Sequence, residues 1–352
     1  MQELAATRAG FDRVLPRRRL GATDMEITRL GLGAWSFGGG DWAYGWGPQS
    51  DEDSIAAIRY AVESGINWID TAALYGLGHS EEVLRRALHD MPTTQRPYLF
   101  TKCGEVWKDS DRQAAPERIV NAASLRRELE ASLRRLGVER IDLYQMHWPA
   151  TDGTPVEDYW QTLQDFRKEG KVRAVGLCNH SVEQLERAER VAHVDCLQSP
   201  LSAIRRTSAA ELSWCLARHT GVIVYSPLQS GLLTGSFNAQ ALHPQEWRFQ
   251  NPRFTGEALQ RNLKLADALK PVAARHGATV ASVAIAWALA WPGVTGAIVG
   301  ARNPAQVCGW LDAASLDLLP SDLDEISGAI EHTRAGSGPL MPIESQSPSS
   351  ES

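Results

Sequence analysis

The chain has 352 residues, 43% of them hydrophobic and 22% charged, ordinary values for a soluble globular enzyme and a length that one large α/β barrel can accommodate. Its formal net charge is −6 and no basic run extends beyond Arg17-Arg18-Arg19, which argues against nucleic acid or an anionic membrane as the main partner. Five cysteines, odd in number and without a CxxC pair, read as reduced and mostly buried thiols. The first 16 residues lack the apolar segment of a secretory signal, and no run of about 18 apolar residues occurs, so the expected address is the cytoplasm.

Residues 1–16 are mixed and polar and are expected to form a disordered extension. From Arg19 to Leu30 the pattern predicts a hairpin, and Leu30 to Trp35 a strand interrupted by glycines. Asp51 to Ser64 spaces Ile55, Ile58 and Val62 as an amphipathic helix does, with acids in its first turn. Ile66 to Ile69 is a short buried strand that stops at Asp70, followed by a helix from Ser80. Pro97 to Lys102 is strand-like, and Pro116 is expected to open a long helix closed by Gly137. Strands then fall at 141–146, 172–178, 194–198, 222–225 and 294–299, and helices at 155–169, 182–191, 208–219, 259–275, 280–289 and 304–311. The tail from 335 to 352 is rich in Ser, Pro and Gly and is expected to be flexible.

Eight strand-then-helix units without a second domain fit a closed (β/α)₈ barrel over residues 17–334, a TIM barrel with an N-terminal β-hairpin and extra helices. An open dinucleotide-binding sheet would show G-x-G-x-x-G after its first strand, and Gly31-Leu32-Gly33 has only the start of it.

In such a barrel, chemistry gathers at the carboxyl ends of the strands. Asp70, Lys102 and His147 end three consecutive strands, with Tyr75 in the loop beside them. A phenol is a poor acid at neutral pH unless a cation stabilises its phenolate. Lys102 supplies that cation, Asp70 holds Lys102, and His147 orients a carbonyl oxygen through a ring N–H. Neither metal-ligand clusters nor paired carboxylates appear at strand ends, so no metal is expected and a phosphate-binding hydrolase or isomerase is disfavoured.

Leu-Gly-Leu-Gly-Ala-Trp, Asn-Trp-Ile-Asp-Thr-Ala-Ala-Leu-Tyr-Gly, Thr-Lys-Cys-Gly, Ile-Asp-Leu-Tyr-Gln-Met-His-Trp-Pro, Val-Gly-Leu-Cys-Asn, Tyr-Ser-Pro-Leu, Gly-Leu-Leu-Thr-Gly and Ile-Val-Gly-Ala-Arg occur in that order. From about Arg17 to Arg334 the chain resembles the aldo/keto reductase superfamily, and most of all its bacterial general-stress branch. The resemblance implies that Asp70, Tyr75, Lys102 and His147 are the catalytic four, with Tyr75 as general acid, and that NAD(P)H binds across the barrel mouth. It assigns Asn179 and Gln198 to the nicotinamide carboxamide and Tyr225 to stacking on the ring. It also makes the long loop after the seventh strand a cofactor cover, with Ser226, Leu228 and Gly231 as contacts.

By the same resemblance Gly300, Arg302 and Gln306 form the adenosine 2′-phosphate site, which favours NADPH with NADH as the other option. Gly309 and Trp310 stand where many relatives carry an acid and an asparagine. Trp35, Trp46, Trp107 and Trp148 are the expected substrate-pocket walls. The implied activity is NADPH-dependent reduction of an aldehyde or ketone to the alcohol, reversible in principle. The alternative is a cofactor-binding regulatory subunit with little turnover, resembling potassium-channel β subunits, against which the intact catalytic four speaks.

Overall fold

The computed structural model describes residues 14–242 and 247–341. A two-stranded antiparallel hairpin, β1 (Arg17–Arg19) and β2 (Glu26–Thr28), precedes eight parallel strands that close on themselves. These are β3 (Leu30–Gly33), β4 (Trp68–Asp70), β5 (Tyr98–Cys103), β6 (Ile141–Met146), β7 (Val172–Cys178), β8 (Cys196–Pro200), β9 (Gly221–Tyr225) and β10 (Gly296–Gly300). Each pairs with its neighbour in chain order, and β10 closes the ring onto β3. The fold is a (β/α)₈ barrel.

Its outer ring begins with α1 (Asp51–Glu63), α2 (His79–Leu88), α3 (Ala122–Leu136), α4 (Val156–Lys168), α5 (Val182–Val191) and α6 (Ala209–Arg218). A short turn α7 (Trp247–Gln250) lies in the loop after β9. It is followed by α8 (Gly256–Ala268), α9 (Lys270–Arg275), α10 (Val280–Leu289), α11 (Pro304–Leu311) and α12 (Pro320–Thr333). No single helix among the described residues is long and apolar enough to cross a membrane.

The alternation of strand side chains builds two cores. Inward residues Trp68, Phe100, Leu143, Ala174, Cys196, Ile223 and Ile298 fill the barrel together with Leu20, Met25 and Ile27 from the hairpin, which therefore plugs the amino end of the strands. Outward residues such as Ile69, Tyr144, Val175 and Leu197 pack under the helices. The Trp68 indole dictates Gly31 on the neighbouring strand, because a Cβ there would lie 2.3 Å from the ring.

Several boundaries differ from the sequence expectation. The helix expected from Pro116 starts at Ala122, where the Asn121 side chain caps it by accepting from Ser124 N at 2.9 Å. Residues ahead of it pair back instead, through a bridge between Val106 and Glu117. The helix expected over 259–275 divides into α8 and α9 around Leu269, just ahead of Pro271, which has no N–H to continue the ladder. The strand expected at 194–198 runs from Cys196 to Pro200, and α12 is an element that hydrophobic spacing did not bring out.

The expected terminal segments fall mostly on residues 1–13 and 342–352, outside the described residues. Of the remainder, Leu15 is buried, and residues 335–339 lie along Ile204–Arg206, where the Arg206 side chain donates to the Pro339 carbonyl at 2.9 Å.

Candidate active site

Parallel strands in register bring their last residues to one rim. Asp70 ends β4 beside Gly33 and Phe100, and Lys102 on β5 is level with Gln145 on β6. Cys178 at the end of β7 is level with Gln198 on β8. Lys102 Nζ donates to Asp70 Oδ1 at 2.5 Å and to the Thr71 carbonyl at 2.8 Å, and both side chains are almost wholly buried. Asp70 Oδ2 accepts from Gln198 Nε2 at 2.8 Å and from Gln145 Nε2 at 3.4 Å. The carboxylate is thus held from three strands.

Tyr75 sits in the turn between β4 and α2, its ring centre 5.2 Å from Lys102 Nζ. Burial pushes its phenol well above the usual tyrosine range, outweighing the downward pull of the Lys102 charge. Burial also works against the charge on Lys102, but Asp70 and then Tyr75 overcome it and the net shift is upward. The resting site therefore holds a protonated phenol beside a charged ammonium.

His147 follows β6, its amide bonded to the Cys103 carbonyl at 3.0 Å, and its ring meets the Tyr75 ring edge-on with centres 5.9 Å apart. Asp70, Tyr75, Lys102 and His147 are brought to one place.

Next to them the cofactor candidates form a second set. Asn179 leaves β7 in the left-handed region (φ 63°). Its Nδ2 donates to the His147 carbonyl at 3.1 Å, and its Oδ1 accepts from the Tyr225 hydroxyl at 2.8 Å. Beyond Tyr225 the chain is left-handed again at Ser226, Gln229, Ser230 and Gly231, an unusual density for non-glycine residues. Leu228 lies within this run, its amide neighbours turned in successive tight bends.

Two arginines with no strand-end signal in the sequence flank Tyr225. The Arg205 charge acts on Tyr225, and Arg253 is held below the usual arginine range by burial and then by Arg205. No carboxylate among the described residues is paired with either one.

Gly300 is exposed at the end of β10, and a Cβ on it would meet only the Gly33 carbonyl, at 3.9 Å. Arg302 just after it donates from Nε to Gln49 Oε1 at 2.7 Å and also bonds the Pro48 carbonyl, while Gln49 Nε2 donates to the Arg302 carbonyl at 2.8 Å. Gln306 accepts from the Arg302 amide at 2.9 Å. The open strand end, the left-handed run and guanidiniums without carboxylate partners suit an elongated anionic dinucleotide.

The tryptophans divide. Trp35 stacks along Tyr75 with centres 6.3 Å apart and meets Trp46 edge-on at 5.2 Å. Trp148 lies alongside His147, with the Arg118 guanidinium over its ring. Trp107 is set apart, bonded to Asp109 and packed on Arg135 rather than on the four. Trp247, on the loop after β9, stacks on Trp35 at 5.9 Å and meets Trp46 edge-on at 5.4 Å. It had no sequence signal, because that loop has no periodicity from which a contact can be read. Gln145, Glu105 and Cys178 also join the site without being singled out; only their places at or just beyond strand ends mark them.

Among the described residues no group of three or more His, Cys, Asp or Glu is placed to hold a metal ion. The profile of the aldo/keto reductase family matches residues 29–331. The chain belongs to that family. As a member it is an oxidoreductase that works with a nicotinamide cofactor.

Among the family's characterised proteins, it is similar to the aldo-keto reductase YhdN of Bacillus subtilis, 33% identical over 321 residues that cover 88% of this chain and 92% of that one. It is also 33% identical to the NADH-specific methylglyoxal reductase of Escherichia coli, over 89% of this chain and 98% of that one. Among solved structures, the glycerol dehydrogenase AKR11B4 from Gluconobacter oxydans superposes with a TM-score of 0.83 at 34% identity, covering 93% of this chain and 98% of that one. These place the chain in the bacterial part of the family.

Proposed function

We propose that the chain reduces an aldehyde or ketone to the alcohol, reversibly, with NADPH as the preferred cofactor and Tyr75 as general acid. The observation that carries this reading is the Lys102 amine, bonded to Asp70 at 2.5 Å and placed 5.2 Å from the centre of the Tyr75 ring.

When bound, the reduced nicotinamide supplies the hydride. Asn179 and Gln198 are the residues to hold its carboxamide, Tyr225 to lie on its ring, and Ser226, Leu228 and Gly231 to contact the diphosphate. The Tyr75 phenol gives its proton to the carbonyl oxygen as negative charge develops there, and the Lys102 ammonium stabilises the phenolate left behind. Asp70 keeps Lys102 charged and fixed, so that little reorganisation is needed during the transfer. His147 meets the same oxygen from the other side and sets its direction.

The preference for NADPH rests on Arg302, whose planar guanidinium suits a 2′-phosphate. One relative is named for NADH, so the test must compare both cofactors. Trp35, Trp46 and Trp148, joined by Trp247, wall the substrate side. The names of the relatives put methylglyoxal and glycerol first in the substrate panel. Four of the five cysteines are buried free thiols, in keeping with a reducing compartment such as the cytoplasm.

The test follows loss of NADPH or NADH absorbance with methylglyoxal and a panel of larger aldehydes and ketones, and gain of absorbance with glycerol. The parent is expected to turn over and Tyr75→Phe to lose at least a hundredfold in rate, the lower end of what a general acid contributes. A Tyr75→Phe protein as active as the parent removes Tyr75 from this role.

A further inference from the structure

Glu105 lies just beyond β5, where Gly104 turns the chain with a left-handed φ of 91°. Its side chain is 7% exposed, and its Oε2 lies 2.7 Å from His147 Nδ1. No group among the described residues, His147 included, meets that oxygen in hydrogen-bonding geometry, so the pair is a close charge contact. The turn itself is anchored from α3, where Glu128 accepts from the Gly104 amide at 2.8 Å and from the Glu105 amide. A buried carboxylate this poorly served is costly unless a charged or proton-bearing partner faces it, and His147 is the partner in place.

We infer that Glu105 is a positioning residue, deciding which ring nitrogen of His147 carries a proton and which one faces the substrate. An ionised carboxylate can only accept, so it stabilises a proton on the nitrogen it faces, Nδ1. Nε2, on the far side of the ring, is then left for the substrate oxygen. With the charged ring Nε2 donates to the carbonyl oxygen, and with the neutral ring it accepts from the alcohol hydroxyl of the reverse reaction. Without Glu105 the neutral ring distributes its proton over both nitrogens, and the hydrogen bond offered to the substrate is no longer defined. A buried acid orienting a catalytic imidazole in this way is known to govern rate through the tautomer. The inference rests on His147 meeting the substrate oxygen as proposed above.

The test uses the full chain labelled with ¹⁵N-histidine, with His147→Ala to assign the His147 signals, and compares the parent with Glu105→Leu and Glu105→Gln. In the parent, Nδ1 is expected to carry the proton. In Glu105→Leu the two nitrogen signals should move toward a tautomer mixture, and kcat should fall roughly tenfold or more, as when the acid that holds a catalytic imidazole in its tautomer is removed, with KM changed less. Glu105→Gln, whose amide oxygen can still accept from Nδ1, should recover most of the rate and the parent tautomer.

His147 signals identical in the parent and in Glu105→Leu overturn the inference, as does a loss of kcat in Glu105→Leu with the tautomer unchanged. A His147→Ala protein as active as the parent overturns the catalytic reading of His147 instead. In that case the nitrogen signals still respond to Glu105 while the rates do not.

Discussion

Lys102 and Asp70 form an ion pair between adjacent barrel strands, 2.5 Å long, with side-chain exposures of 0% and 3%. Such a pair contributes little net stability as a whole, yet removing one partner strands the other charge without water. Lys102→Met and Asp70→Asn should each destabilise the fold by about 3–5 kcal/mol. The double variant should lose less than the two effects combined, because neither charge is then left alone. Urea midpoints of the four proteins measure the coupling, and additive losses would contradict it.

Tyr75→Phe removes one hydroxyl and keeps the ring that stacks on Trp35. Its thermal midpoint should stay within a few degrees of the parent, while kcat for carbonyl reduction drops roughly 10²–10⁴-fold. A large loss of stability together with activity would mean that the phenol serves the fold rather than the reaction.

Arg302 is clasped by Gln49 and the Pro48 carbonyl, which fixes the guanidinium at the rim before any phosphate arrives. Charge-assisted hydrogen bonds to a phosphate contribute roughly 1.5–3 kcal/mol, so Arg302→Ala should weaken NADPH binding by about ten- to a hundredfold. NADH binding should change by less than about threefold on the same scale. Titration of intrinsic fluorescence with each cofactor checks both values. Equal weakening for the two would detach Arg302 from the 2′-phosphate.

Glu128 gives stability a pH dependence of known sign. Burial, with the nearby Glu105 charge adding to it, pushes its carboxyl from the ordinary 4.5 up to about 7. Between those values the folded protein keeps a proton that the unfolded chain releases, so there is no penalty below about pH 4.5 and a full one above about pH 7. The penalty reaches at most about 3 kcal/mol, less any screening by the solvent that reaches this half-buried group. Glu128→Gln keeps an acceptor for the Gly104 amide and should gain stability over the parent at pH 8 but not at pH 4.5. Urea unfolding at the two pH values reads the difference, and a gain of equal size at both would contradict the assignment.

The barrel was legible because its signals are local: short apolar strands, helices spaced three and four, and a break after each. Asp70, Lys102 and His147 were legible for the same reason, since a parallel sheet turns position at a strand end into position at a common mouth. What stayed hidden depends on folding back across the chain. The Pro116 stretch has a helix-opening residue, yet Val106 and Glu117 pair across it and the helix waits for the Asn121 cap. Trp247 reaches Trp35 and Trp46 across some two hundred residues of chain, and no periodicity encodes such a contact. Glu105 looks like a surface acid until Gly104 turns it inward, and Trp107, two residues later, turns outward to Asp109 and Arg135.

The hairpin that fills the amino end of the barrel lies on the face opposite the catalytic four. Arg18 fastens it there by donating to the Leu289 and Val294 carbonyls. A pull on β1 therefore acts on the closed floor, with the full height of the barrel between it and the mouth.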